Sequence, residues 1–194
     1  ANTPAVQDIQ NDALGPLVAW LQANTNSYAL GLITFLHTSA PTVDVALAPN
    51  NGGIFLAAVE SIFIDENAAL PYDDDRPSKD AMELASAQNW RSTSNKVCIL
   101  VNQGYPLVVA TRSIQYSIAA NMQGQGITTN AISTGYWTDP GPTHAFHATT
   151  EEVNGKTALV GGGTHTSVIS DGDLDYNGGA EVLASTIKGL VDTI

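Results

Sequence analysis

Four oxygen-bearing side chains alternate along a short segment near the end of the sequence. They are Asp171, Asp173, Asp175 and Asn177, each separated from the next by one residue. Oxygens at alternate positions of a loop resemble the first half of a calcium-binding loop, because Ca²⁺ is held by several oxygen ligands at once. The sequence therefore predicts a metal site at these four residues, and calcium is the one cofactor that it suggests.

The same segment departs from the complete calcium motif at two positions. Tyr176 stands where the motif requires Gly, and the twelfth position is Val182 instead of Glu. The alternative interpretation is a solvated acidic turn, since carboxylates placed ahead of a helix are stabilised by the helix dipole. A second acidic run, Asp73-Asp74-Asp75, lies beside Arg76 and predicts a solvated loop.

Two histidines form a second candidate for metal chemistry. His144 and His147 are three residues apart and are followed by Glu151 and Glu152. The preceding Pro-Gly-Pro and the neighbouring Thr and Phe favour a strand, on which residues three apart face opposite sides. We therefore expect polar decoration of a strand. With His165 and the acidic segment, these residues support an alternative function, a secreted enzyme or ligand-binding module with a His/acid metal site.

Motifs for a catalytic nucleophile are incomplete. The nearest match to the hydrolase sequence G-x-S-x-G is Ala131-Ile132-Ser133-Thr134-Gly135, which has Ala in place of the first Gly. Cys98 is the only cysteine and lies in an apolar run, where burial raises a thiol pKa instead of lowering it. No P-loop, dinucleotide-binding or zinc-binding spacing is present. The sequence therefore assigns no catalytic residue and favours a non-enzymatic protein.

Length and charge limit the classes of protein that the chain can represent. Its 194 residues suit a single β-rich domain, residues 1–194, with helical ends and a polar insert at residues 66–95. A net charge of −12 with only seven Lys and Arg residues argues against binding to nucleic acids or to anionic membranes. Only 13% of the residues are charged, which suits a protein that belongs to an assembly or acts outside the cell.

Runs rich in β-branched and aromatic residues, bounded by Gly, Pro, Asn or Asp, predict most of the elements as strands. After Arg112 the sequence alternates strictly, with Ile114, Tyr116 and Ile118 on one face. The dipeptide Asn154-Gly155 predicts a tight hairpin turn. The predicted strands comprise residues 28–37, 43–47, 52–65, 96–101, 107–118, 127–137, 144–153, 156–160 and 165–169.

Helices are predicted mainly at the two ends of the chain. They comprise residues 4–23, broken at Gly15-Pro16, a short helix at 78–88 within an exposed insert, and an amphipathic helix at 180–194. About eight to ten strands with helical ends predict a mainly β fold, with a β-sandwich or jelly-roll-like core. The alternative is an α+β fold with the helices on one face of an antiparallel sheet.

Two short sequences stand on either side of the polar insert. One predicted strand ends with Ser61-Ile-Phe-Ile-Asp65, and a later one is entered through Gln103-Gly104-Tyr105-Pro106. In these features the middle of the chain, residues 54–118, resembles small structural proteins of tailed bacteriophages. The resemblance implies a virion structural or assembly protein, such as a capsid decoration, head-associated or tail-associated subunit. Its expected partners are further copies of the chain or other virion proteins, and its expected location is the virion.

Overall fold

The computed structural model describes the following parts of the chain: residues 14–36, 39–62, 78–102, 109–135 and 143–169, with the single residues Asn11 and Gly189. Five helices and five strands follow one another in these ranges. In chain order they are α1 (Gly15–Asn24), β1 (Ala29–Leu36), β2 (Ser39–Pro49), α2 (Gly52–Glu60), α3 (Ser78–Ser86), β3 (Lys96–Asn102), α4 (Val109–Gly124), β4 (Ile127–Gly135), α5 (Thr143–Val160) and β5 (Gly162–Ile169).

The larger sheet is parallel and has three strands, in the order β3-β4-β5. Its register places Lys96 opposite Ile127 and Ala131 opposite His165. Parallel neighbours require a crossover connection, and α4 and α5 provide the two crossovers. Crossovers of the same hand along consecutive strands put both helices on one face of the sheet. In agreement, α4 and α5 contact each other and both contact β4.

The main hydrophobic core lies between this sheet and its helices. It contains Leu100 of β3, Ile127 and Ala131 of β4, Met122 of α4 and Met82 of α3, each no more than 5% exposed. Alternate residues of a strand share a face, so the even-numbered positions of β3 and the odd-numbered positions of β4 point toward the helices.

β1 and β2 form a separate antiparallel hairpin. The Asn51 side chain extends its ladder, because Nδ2 donates to the carbonyl of Leu30 at 2.7 Å and Oδ1 accepts from the Leu30 N–H at 2.9 Å. The amide therefore acts as one more backbone unit opposite β1. A smaller apolar cluster of Val18, Phe55 and Val59 joins α1 and α2 beside this hairpin.

The predicted fold class, a mainly β sandwich or jelly roll, is wrong. The described residues form an α+β fold with a two-stranded antiparallel and a three-stranded parallel sheet, and these residues contain no sandwich or barrel. The alternative prediction named the α+β class but expected an antiparallel sheet, whereas the larger sheet is parallel. The strand count was too high because three helices carry the β-branched and aromatic residues that are typical of strands.

The strand predicted at residues 107–118 shows how this error arose. From residue 109 onward it lies in α4, which buries Gln115, Ala119 and Met122 at steps of four and three residues. Ile114, which the alternating pattern placed in the core, is 46% exposed. Burial against the sheet follows the helical period of 3.6 residues. The alternation of Ile and Tyr therefore does not correspond to a buried and an exposed face.

Three more predicted strands, at residues 52–65, 144–153 and 156–160, are helical. Residues 52–60 form α2, in which Gly52, Phe55 and Val59 are buried at steps of three and four. α5 continues through Asn154-Gly155, which had been predicted as a hairpin turn. The turn preference of Asn-Gly yields here because Asn154 is fully buried.

Several other predictions are confirmed. The strands at 28–37, 96–101, 127–137 and 165–169 appear as β1, β3, β4 and β5, the strand at 43–47 lies within β2, and the helix at 78–88 is α3. α1 confirms the second part of the N-terminal helix, beginning at Gly15-Pro16. The predicted C-terminal helix at 180–194 lies outside the described residues, apart from Gly189.

The polar insert does not lie wholly on the surface. Residues 78–95 of the insert are described, and α3 packs against α4 and the hairpin. Met82 is 1% exposed and Ser78 is fully buried. The expectation of an exposed insert is therefore wrong for α3, whose apolar face completes the main core.

Candidate functional site

A serine and a histidine meet on the helix-covered face of the parallel sheet. Ser133 lies on β4 and His165 on β5, and Ser133 Oγ is 2.8 Å from His165 Nε2. His165 is opposite Ala131, which shares a face with Ser133. The hydroxyl donates to Nε2 when the imidazole carries its proton on Nδ1. This is the arrangement in which a histidine can accept a proton from a serine.

α5 adds a third polar side chain to this pair. Asn154 Nδ2 donates to Ser133 Oγ at 2.9 Å. The next residue is Gly155, where a Cβ would lie 3.5 Å from His165 Nδ1, so the helix backbone passes close to the imidazole. Asn154 Oδ1 is buried and has no hydrogen-bond partner within the described part of the chain. Ser133, His165 and Asn154 are called the polar cluster below.

The polar cluster is closed to substrates. Ser133 and Asn154 are both 0% exposed, so the hydroxyl cannot reach an incoming carbonyl carbon. A cavity of about 520 Å³ at the start of the strands is lined by Thr128 and Asn130, which lie on the other face of β4 from Ser133. The cluster therefore holds α5 against the sheet, and its hydrogen bonds gain strength from the low local dielectric.

Sequence reasoning found Ser133 but not its partners. Ser133 was the central residue of the incomplete G-x-S-x-G match, and His165 was noted only as one of several histidines. The two residues are 32 positions apart and become neighbours only because α5 returns the chain to a parallel strand beside β4. A Ser that the alternation of β4 places on the same face as Ile127 and Ala131 was the one signal that a buried polar partner was needed.

A second buried series of side-chain hydrogen bonds joins three helices. Ser78 Oγ donates to Gln115 Oε1 at 2.9 Å, and Gln115 Nε2 donates to Thr157 Oγ1 at 3.0 Å. Thr157 in turn donates to the carbonyl of Val153 at 2.8 Å. All three polar side chains are fully buried. This series of hydrogen bonds therefore fixes how α3, α4 and α5 pack, and a ligand cannot reach it.

β3 is the element whose sequence and position disagree. Cys98 and Leu100 point toward the helices, and Val97, Ile99 and Val101 point to the opposite face. Strands that are apolar on both faces are typical of sheet interiors, and edge strands normally carry Lys, Pro or a bulge. In the parts of the chain that the structure describes, however, β3 pairs with β4 alone.

The start of β3 lies near the start of β1. Ala29 at the start of β1 and Asn95 just before β3 line the same small cavity. Phe35, near the end of β1, packs against the core cluster that contains Leu100 of β3. The hairpin therefore packs on the same core as the parallel sheet. β1 and β3 belong to different sheets and are not paired with each other.

Two basic side chains lie near the starts of β1 and β3. Arg91 donates to Ser27 Oγ at 2.5 Å and to the Ser27 carbonyl at 3.3 Å, just ahead of β1. Lys96 at the start of β3 donates to the carbonyl of Gln125 at 2.9 Å. Two of the chain's seven Lys and Arg residues thus lie near the points where β1 and β3 begin.

Cys98 does not behave as a reactive thiol. Burial raises the pKa of its thiol from 9.0 to about 11, so the nucleophilic thiolate is scarce at neutral pH. This confirms the expectation that the apolar strand raises its pKa. Cys98 therefore contributes to the packing of β3 against the helices.

The predicted metal-site residues are not tested by the structure. Asp171, Asp173, Asp175 and Asn177 lie outside the described residues, and calcium binding there stays a prediction. The second candidate, His144 with His147, lies on α5, so its assignment to a strand is wrong. Among the described residues, no group of three or more His, Cys, Asp or Glu side chains could hold a metal ion.

Comparison with known protein families finds no family model that matches the chain. A comparison with curated proteins finds no significant match. None of the described helices combines the length and the apolarity needed to span a bilayer.

Proposed function

We propose that the protein is a non-enzymatic structural or assembly protein whose β3 edge binds another polypeptide. The observation that carries the proposal is an edge strand with an interior sequence, apolar at Val97, Ile99 and Val101 on one face and at Cys98 and Leu100 on the other. About half of the backbone N–H and C=O groups of such a strand point along its second edge, where they can bond to water or to an added strand.

Sheet edges are a common site for protein association. A strand added to an edge gains affinity from main-chain hydrogen bonds and specificity from the side-chain positions on each face. Val101 is 36% exposed, so one face of β3 is accessible near the end of the strand. The weak surface charge, 13% charged residues, lowers the cost of covering this surface.

Further apolar side chains lie on the outer faces of the helices. Leu159 is 76% exposed, Val109 71%, Ile54 67% and Trp20 52%. Scattered exposed apolar residues are normal in monomeric proteins and do not by themselves define an interface. They support the proposal only as additional contacts around a partner that is held at the β3 edge.

The setting that we propose is a virion, on the basis of the sequence resemblance to small phage structural proteins. The partners are then further copies of the chain or other virion proteins. The net charge of −12 agrees with partners that are proteins instead of nucleic acid or anionic membrane.

A charge on the β3 edge tests the proposal. Val101→Lys places a charged side chain on the edge strand, which is how natural sheets prevent edge-to-edge association. Ser167→Lys is the matched control, because Ser167 is an exposed residue of β5 at the opposite edge of the same sheet. The measurements are mass by light scattering over a range of concentrations, recovery in native particles, and melting temperature.

We expect the wild type and Ser167→Lys to associate, and Val101→Lys to lose association while its melting temperature stays within a few degrees of the wild-type value. Two results would contradict the proposal. One is a wild-type protein that stays monomeric at high concentration and is absent from every particle fraction. The other is a Val101→Lys protein that associates as well as the control does.

A further inference from the structure

We infer that the cavity of about 520 Å³ at the start of the parallel strands binds a small molecule through a carboxylate group. The side-chain amide of Asn130 supplies a fixed donor inside the cavity, and the ammonium group of Lys96 lies at its rim. Binding there does not require association through the β3 edge.

The cavity lies on the face of the sheet that α4 and α5 do not cover. Four of the side chains that line it are Val97, Thr128, Asn130 and Thr164, and each occupies a strand position that points away from the helices. Further along β4 on the same face, Ile132 is 0% exposed, so the cavity is confined to the strand starts. Its volume lies within the range of natural ligand sites, about 300–1,000 Å³.

Asn130 presents one end of its amide to the cavity. Its Oδ1 accepts from the Thr164 backbone N–H at 2.9 Å and from the Thr164 hydroxyl at 3.1 Å. A backbone N–H can only donate, so this contact fixes which end of the amide is oxygen and which is nitrogen. Asn130 is only 7% exposed, yet its Nδ2 has no acceptor among the described residues. Unlike Asn154 Oδ1, this nitrogen is not enclosed by protein, so it can donate to a ligand in the cavity.

Gly163 keeps the amide in this orientation. A Cβ at this position would lie 2.7 Å from Asn130 Oδ1, so β5 can approach the amide closely only because residue 163 has no side chain. Thr164, the next residue, then donates twice to the same oxygen. The donor is therefore preorganised, and a ligand that binds it does not have to order the side chain first.

The charge of the lining selects the ligand. Lys96 Nζ donates to the carbonyl of Gln125 at 2.9 Å, next to Gly126, which lines the cavity. The ammonium group thus lies at the rim, and two of its three N–H groups are not used by that bond. No Asp or Glu is among the described residues that line the cavity, although the chain contains 19 of them. The cavity therefore favours an anion with oxygen acceptors over a cation.

Among oxygen-bearing anions, a carboxylate matches the available donors best. One amide nitrogen and one ammonium group can supply a donor for each of its two oxygens. Phosphate groups are often held by helix N-termini or by Arg, and neither is found among the described residues around the cavity. An aromatic side chain is also absent from that lining, which argues against a ligand that binds by stacking of a base. The ligand class is therefore a small organic acid.

The test is an NMR titration of the full isotope-labelled chain with succinate, at neutral pH and constant ionic strength. Succinamide, the uncharged diamide of similar shape, is the control ligand. We expect succinate to shift the side-chain NH₂ resonances of Asn130 and the backbone N–H resonance of Thr164, with a Kd on the order of 1 mM for so few contacts. Succinamide should leave both in place.

Two variants assign the binding to these side chains. Asn130→Asp removes the donor but keeps the oxygen that accepts from Thr164. Its melting temperature should stay within a few degrees of the wild-type value, while succinate should bind at least about tenfold more weakly, because a carboxylate replaces the donor. Lys96→Gln should weaken binding about two- to fivefold. Lys79→Gln, an equal change of charge on α3, should leave binding unchanged.

Each outcome supports or overturns the site. Succinate shifts at Asn130 that Asn130→Asp and Lys96→Gln both weaken support it, and the absence of any saturable shift in the wild type overturns it. Equal binding of succinamide, or tighter binding of inorganic phosphate, overturns the assignment to a carboxylate. Succinate binding that survives Asn130→Asp would show that Asn130 only joins β4 to β5. Should Asn130→Asp fail to fold, the comparison of Lys96→Gln with Lys79→Gln decides, and equal affinities overturn the site.

Discussion

In the parallel sheet, the central strand β4 is more polar than β3, the edge strand among the described residues, which is the reverse of the usual arrangement. β4, which has a neighbour on each side, carries Thr129, Asn130 and Ser133, all buried. β3, which pairs with β4 alone among the described strands, has five consecutive apolar residues from Val97 to Val101. In most sheets the interior strand is the apolar one, and the edge strand carries the polar and charged residues.

The polar groups of β4 can be buried because most of them have partners. Asn130 Oδ1 accepts from the backbone N–H of Thr164 at 2.9 Å and from its hydroxyl at 3.1 Å. Ser133 is held by Asn154 and His165. These bonds specify which strand lies beside β4 and in which register, a task that apolar contacts perform poorly. The comparison teaches that polarity alone does not separate the centre of a sheet from its edge.

The largest effect that separates the two strands should come from one pair of residues. Ile132 of β4 lies directly opposite Val101 of β3 on the same face, but Ile132 is 0% exposed and Val101 is 36% exposed. Ile132→Ala should lower the free energy of unfolding by about 2–4 kcal/mol, since it removes buried methyl groups and leaves a cavity. Val101→Ala should cost about 1 kcal/mol or less. Urea denaturation of both variants measures the difference, and equal losses would show that β3 is as deeply buried as β4 in the isolated protein.

A smaller effect should follow from disruption of the polar cluster. Ser133→Ala leaves the Asn154 amide without its acceptor in a fully buried position, at a cost of about 1–3 kcal/mol. Ser117→Ala is the control, because Ser117 is exposed and its hydroxyl only donates to the carbonyl of Ser113 within α4. That change should cost about 0.5 kcal/mol or less. If the two substitutions prove equally mild, the polar cluster does not anchor α5.

The smallest effect at neutral pH concerns Cys98 on β3. Burial raises its thiol pKa from 9.0 to about 11, so at pH 8 the thiolate should be about 100-fold scarcer than in an unperturbed thiol. Alkylation by iodoacetamide in buffer, compared with the same protein in urea, measures this difference.

The raised pKa also predicts how stability depends on pH. The folded state favours the neutral thiol, so this contribution is fully present below pH 9 and is lost as the pH rises toward 11. Wild type and Cys98→Ser should therefore differ in the slope of stability between pH 9 and 11. Equal slopes, or alkylation as fast in buffer as in urea, would show that the β3 edge leaves Cys98 open to water.

Much of the local structure could be predicted from local composition and from the positions of turn-forming and helix-breaking residues. β1, β3, β4 and β5 are short apolar runs between turn-forming residues, and the break at Gly15-Pro16 marks the start of α1. The helices α2, α4 and α5 could not be found in this way. Their β-branched and aromatic residues favour strands locally, and burial of one helical face outweighs that preference of about 1 kcal/mol or less per residue.

Some features of the candidate site could likewise be predicted from the sequence, and others could not. The apolar run of β3 is visible in the sequence, as are the acidic balance and the single cysteine, because each depends only on residue type and order. The parallel order of the sheet, the contact of Ser133 with His165 and the position of β3 at the end of the described strand order were decided by the tertiary structure alone. Each of these joins residues separated by a complete helix, and which distant strand pairs with which depends on how the helices pack, for which the local sequence carries no signal.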